Sequence, residues 1–171
     1  MPVDQVTRET IEAFLAYIED SVSIDDRYGP AQRQSSDGGS TLTTFFEAGR
    51  SCWLTVTVFP TIPQIHVGFL TDDPSKGEEV EQAIQEAEGT MEQFVGAGFA
   101  EAGLDWKLPT VEHDIERGED GRFATPLEVE ELADLDTDEV RDKTLRMLEG
   151  YLIAFGPAII VEDEEQGVSQ S

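Results

Sequence analysis

The chain has 171 residues, of which 37 are Asp or Glu against 11 Lys or Arg, for a formal charge of −26. A surface this acidic repels phosphate backbones and anionic membranes, both of which are bound through clustered Lys and Arg. Nucleic acid and lipid are therefore not expected partners. The length suits one domain, and 39% apolar content is enough for a core. Only Lys76, Lys107 and Lys143 are lysines. Few lysines among many carboxylates suit a high-salt cytoplasm, where counterions screen self-repulsion; an ordinary acidic protein is the alternative.

Val6, Ile11, Phe14, Leu15, Ile18 and Val22 recur at helical spacing and predict a first helix over 7–21 with Thr7 as its cap. Residues 25–40 read as a loop, or at most a short edge strand at 31–35. The period then changes. Segments 41–47, 52–59 and 64–71 alternate in side-chain type and are rich in β-branched and aromatic residues. They predict a three-stranded antiparallel meander.

Thr71-Asp72-Asp73-Pro74 starts a helix, expected to run on to Gly103. Residues 106–115 and 122–129 are expected to form a hairpin around Gly118-Glu119-Asp120-Gly121, with Pro126 at an edge or bulge. Thr125-Pro126-Leu127-Glu128 also has the pattern of a helix start, so 122–132 remains open between strand and helix. A last helix is expected from Asp136, with Val140, Leu145, Leu148, Tyr151, Leu152 and Phe155 buried. Gly156-Pro157 should stop it, before a short strand at 158–161. The fold class is α+β, an antiparallel sheet with N-terminal, middle and C-terminal helices in the order α-β-β-β-α-β-β-α. It forms one domain, 1–161, followed by an acidic disordered tail, 162–171. MPVDQVTRET has no signal-peptide pattern and no apolar run spans a bilayer, so the expected location is cytoplasmic.

This order, together with GRFATPLEVEELADLDTDEVRDKTLRMLEGYLIAFGP at 121–157, resembles the type III secretion chaperone-like fold and its YbjN-like members. The resemblance covers roughly residues 7–157. It implies binding of another protein, commonly as a dimer, and no catalysis. It supplies no functional residues to carry over.

Candidate chemistry is sparse. Cys52 stands alone and begins an apolar strand, which fits a buried hydrophobe better than a nucleophile. A Cys52–His66 pair is geometrically conceivable if their strands adjoin. Glu112, His113, Asp114 and Glu116 include ligand types for a metal, but only one imidazole is local. The run 134–139 (DLDTDE) lacks the central Gly and the twelfth-position Glu of a calcium loop. Neither a metal nor a cofactor is expected.

The apolar strands carry more weight. Strand 52–59 places Cys52, Leu54, Val56 and Val58 on one face and Trp53 and Phe59 on the other, while 41–47 puts Phe45 and Phe46 on opposite faces. A sheet covered by helices on one side should be polar on its second side. Either a further element covers that side or it meets a partner. The expected function is a non-enzymatic, chaperone-like or regulatory interaction module. It would bind a basic or amphipathic protein segment around Phe45, Trp53 and Phe59, as a possible homodimer. Two alternatives come from other classes: a small metal-dependent or hydrolytic enzyme using His66, His113 and carboxylates, and an acidic DNA mimic.

Overall fold

The computed structural model describes residues 5–36, 41–49, 52–60, 63–72, 74–86, 88–106, 108–114 and 121–170. Its elements follow in the order α1 (Gln5–Val22), β1 (Ala31–Ser36), β2 (Thr41–Gly49), β3 (Cys52–Phe59), β4 (Gln64–Thr71), α2 (Pro74–Glu86), α3 (Met91–Glu101), β5 (Glu112–Asp114), β6 (Gly121–Glu128) and α4 (Asp138–Gln170). The six strands make one antiparallel sheet, β1-β2-β3-β4-β6-β5. The expected α+β class and its meander are both present, and 31–36 is the edge strand.

The two-residue period of the central strands decides which side chains enter the core. Leu42, Thr44 and Phe46 of β2 are buried, as are Cys52, Leu54, Val56 and Val58 of β3 and Ile65, Val67 and Phe69 of β4. They meet Ile11, Phe14, Leu15 and Ile18 of α1 and Met147, Leu148, Tyr151 and Phe155 of α4 in one cluster. Contacts place both helices on the same side. Glu19 of α1 accepts hydrogen bonds from Arg33 Nε (2.7 Å) and Thr44 Oγ1 (2.8 Å). On α4, Phe155 stacks on Phe69 of β4 with ring centres 4.4 Å apart.

Pro126 lies inside β6, and the register explains how it is tolerated. The Val129 N–H donates to the Pro63 carbonyl (3.3 Å), so 63 and 129 form a hydrogen-bonded pair. Alternation along the ladder makes His66 and Pro126 a non-hydrogen-bonded pair. The proline nitrogen faces away from β4, toward a side that β5 does not reach, and no ladder bond is lost. Residues 121–128 are thus strand, not helix.

Several expectations need correction. The helix predicted from Pro74 to Gly103 is two helices. Glu88 takes a left-handed conformation (φ 56°), and Thr90 then caps α3. The Thr90 hydroxyl accepts from the Gln93 N–H (3.2 Å), and the Gln93 side chain accepts from the Thr90 N–H (3.0 Å). This reciprocal cap makes a new start cheaper than a continuous helix through Gly89. Gly103, with φ 86°, ends α3 as expected.

Second, the strand expected over 106–115 shrinks to Glu112–Asp114. Trp106 instead folds back on Phe99 of α3 (5.7 Å between ring centres), and Pro109 offers no donor for a ladder. Of the turn expected at 118–121, only Gly121 lies within the described residues. Third, the cap of α4 is Thr137, whose hydroxyl accepts from the Val140 N–H (3.3 Å), because the Asp136 carboxylate is drawn to Arg141 (3.1 Å). At the other terminus, α1 begins at Gln5, ahead of the expected cap Thr7.

Fourth, Gly156-Pro157 does not stop α4, which stays helical to Gln170 where a short strand and an irregular tail were expected. A proline removes the single bond to the carbonyl four residues back, and the chain keeps its helical turn on both sides of that gap.

Tyr151 is fully buried in the middle of α4, with its hydroxyl 2.8 Å from Thr125 Oγ1 of β6. Burial pushes its phenol well above the ordinary range, although the Thr125 hydrogen bond works in the opposite direction. Burial likewise raises Tyr28, whose ring stands edge-on to Phe46 at 5.9 Å. A raised folded pKa means that stability is intact below the ordinary phenol value of about 10 and lost as pH climbs beyond it. In an alkaline titration, phenolate absorbance from these two tyrosines is expected to appear only together with loss of the circular dichroism signal. Tyr151→Phe should blunt that alkaline unfolding. Smooth ionisation of all three tyrosines in a still-folded chain would contradict the burial.

Candidate functional site

The second face of the sheet is built by the residues between the core positions. Register places Gln32 beside Phe45, Phe45 beside Thr55, Trp53 beside Leu70, Thr57 beside His66 and His66 beside Pro126. Among the described residues, the helix contacts found on the sheet fall on its opposite side. Phe45, Trp53, Phe59, Leu70 and Pro126 are nevertheless only half-exposed, because neighbours across the strands shield one another. The three residues expected on this face are therefore together on it. Leu70 and Pro126 extend the apolar surface and were missed, although the same alternation marks Leu70.

Polar groups on this face are tied to each other. Thr43 Oγ1 and Thr57 Oγ1 share a hydrogen bond of 2.9 Å across β2 and β3. His66 Nε2 lies 2.7 Å from Gln64 Oε1, and the imidazole packs edge-on to Phe59 with ring centres 4.6 Å apart. His66 Nδ1 lies 3.7 Å from a carboxylate oxygen of Glu112, which is itself largely exposed. Such a face can lose its water with few polar groups left unmatched.

Charge is partitioned in a way that composition hides. From Arg27 to Thr71 the only acids are Asp37 and Glu47, against Arg27, Arg33 and Arg50. The thirty-five remaining acids and eight remaining bases fall outside that window, so the stretch that holds β1–β4 has three bases to two acids in a chain of −26, and within the strands themselves Arg33 and Glu47 balance. Residues 48–71 contain no Asp or Glu at all. Acids reach the second face toward its margins, at Glu47, Glu112 and Glu128 and at the register position of Asp114, which pairs with the base Arg122. Counting acids by window rather than over the whole chain exposes this signal.

The catalytic alternatives fare differently. Cys52 and His66 do not meet: Cys52 is buried in the core opposite Thr71, while His66 lies on the other face, opposite Thr57. His113 pairs with Phe123, a core-facing register position, whereas Glu112 pairs with Ala124 on the His66 side. Among the described residues, no three His, Cys, Asp or Glu side chains converge as a metal site would require. In 134–139, Asp134 accepts from the Glu131 N–H (3.2 Å), closing the short turn at Leu132–Asp136, and Asp136 accepts from Arg141 of α4 (3.1 Å), so both carboxylates have local structural partners. No helix among the described residues is long and apolar enough to cross a membrane.

Relatives are silent. No protein-family model, curated protein or solved structure matches this chain.

Proposed function

We propose that this chain is a non-enzymatic protein-interaction module, chaperone-like or regulatory, that works through the sheet face around Phe45, Trp53 and Phe59. The carrying observation is the one-sided layering. Helices cover the Phe46 side of the sheet, while aromatic and aliphatic side chains on the other side have no cover among the described residues. Contiguous apolar surface of this kind on a folded chain marks an interaction site more often than chance exposure does. The resemblance of the sequence pattern to the type III secretion chaperone-like fold supports the same reading, because in that fold a helix-backed antiparallel sheet goes with protein binding.

The test is photo-crosslinking of the full-length chain in its native cell. A benzophenone amino acid would replace Trp53 in one variant and Ala100, an exposed residue of α3, in another. Protein adducts are expected from position 53 and not from position 100. Equal yields from both positions, or none from position 53, would count against the proposal.

A further inference from the structure

We infer that the occupant of the open sheet face is a second copy of this chain, packed face to face about a two-fold axis. This rests on the interaction reading above and names the partner. Two molecules of charge −26 repel at every approach, and the repulsion is least where their acids are fewest. That place is the β1–β4 face, whose middle (Thr43, Phe45, Thr55, Thr57) has no carboxylate and whose acids stand toward the rim, Glu47 beside Trp53, Glu112 3.7 Å from His66 and Glu128 beside Gln64. A strongly basic segment would be drawn to carboxylates, and the centre of the face has none. Self-complementary surfaces related by a two-fold axis need a near-neutral middle, because every charge close to the axis meets its own copy.

Size and polarity agree. Five strands spaced about 4.8 Å apart and about eight residues long give a face of roughly 24 Å by 27 Å, about 650 Å² per copy. Doubled, that is about 1,300 Å², inside the range of specific interfaces. The Thr43–Thr57 and His66–Gln64 hydrogen bonds are internal to one copy, so closing the face over them does not strip them of partners. Sheets packed in this way stand about 10 Å apart, which leaves room for Phe45, Trp53 and Phe59 to interdigitate.

Salt separates this occupant from the others. Screening weakens repulsion between the two acidic bodies, so the dimer tightens as salt rises, whereas attraction to a basic segment would fade. Sedimentation equilibrium of the purified full-length chain is the measurement, run from about 50 mM to about 1 M potassium chloride. The expected result is twice the chain mass, with a dissociation constant falling about tenfold or more over that range. Thr57→Glu and Phe45→Glu, each with unchanged circular dichroism, should weaken the dimer by about thirty-fold or more. Thr57 is already polar and half-exposed, so that variant keeps its core if Phe45→Glu does not.

A monomer throughout, a dimer that ignores both variants, or one that loosens in salt would each overturn the inference. A monomeric chain that still yields adducts from position 53 would leave the interaction reading standing with a different partner. A monomer without adducts would remove both.

Discussion

Replacing Phe155 by alanine is expected to lower unfolding free energy by about 3–5 kcal/mol, the largest loss for any single truncation in this fold. Its ring is fully buried where α4 crosses the sheet. It stacks on Phe69 at 4.4 Å and on Tyr151 at 5.6 Å, meets Phe94 edge-on at 5.3 Å and touches Phe123 at 5.4 Å. Removing it opens a void among four other aromatic rings, and these cannot collapse into the space without leaving β4, β6, α3 or α4. The loss combines transfer of the ring to water with unfilled volume. Urea unfolding followed by circular dichroism measures it. A change below about 1 kcal/mol would mean that the helix–sheet contact is much looser than described.

The second large effect is expected where α3 crosses α4. A side chain on Gly98 would drive its first carbon into the Gly150 carbonyl oxygen and bring it within 3.0 Å of the Ala154 methyl. The obstacle is backbone, so no rotamer change relieves it. Gly98→Val should cost about 3 kcal/mol, at the upper end of overpacking, by forcing the helices apart and loosening Phe99 and Trp106. Gly156 provides the contrast. Beyond its own turn it has nothing within 4 Å of an added methyl, although Pro157 follows and disfavours a helical residue with a Cβ before it, so Gly156→Ala should shift stability by less than about 1 kcal/mol. If the two substitutions moved the denaturation midpoint equally, close approach at Gly98 would not be the cause.

These glycines show where sequence reasoning succeeds and where it stops. Gly96 and Gly98 look like weaknesses in a helix unless something must come close, and only the fold reveals Gly150 as the neighbour of Gly98. Strands β2, β3 and β4 were legible residue by residue because each buries one face, and a slip by one position would turn Leu54 or Val67 outward. The α2–α3 break was written in Glu88-Gly89-Thr90 and Gln93, but the apolar stripe from Val80 to Phe99 runs across it and outweighed the cap. The strand at 106–115 failed for another reason: Trp106 suits a strand as well as the underside of a helix, and local pattern cannot choose between them. For the site, alternation placed Phe45, Trp53 and Phe59 on one face correctly. It could not show that α1 and α4 both pack on the opposite side, since a helix's apolar stripe does not say which side of a sheet it covers.

Pro126 has a consequence for how the sheet ends. Its nitrogen is directed outward, beyond Glu112, the residue that begins the three-residue strand β5. A foreign strand laid along that margin would find a missing donor where its ladder should continue, and so could not extend far. Acid-free, β-branched strands such as 52–59 and 64–71 are the kind that otherwise stack into fibrils. At this margin the proline adds to the charges of Glu112, Asp114 and Glu128 in keeping like strands from pairing onto the sheet edge.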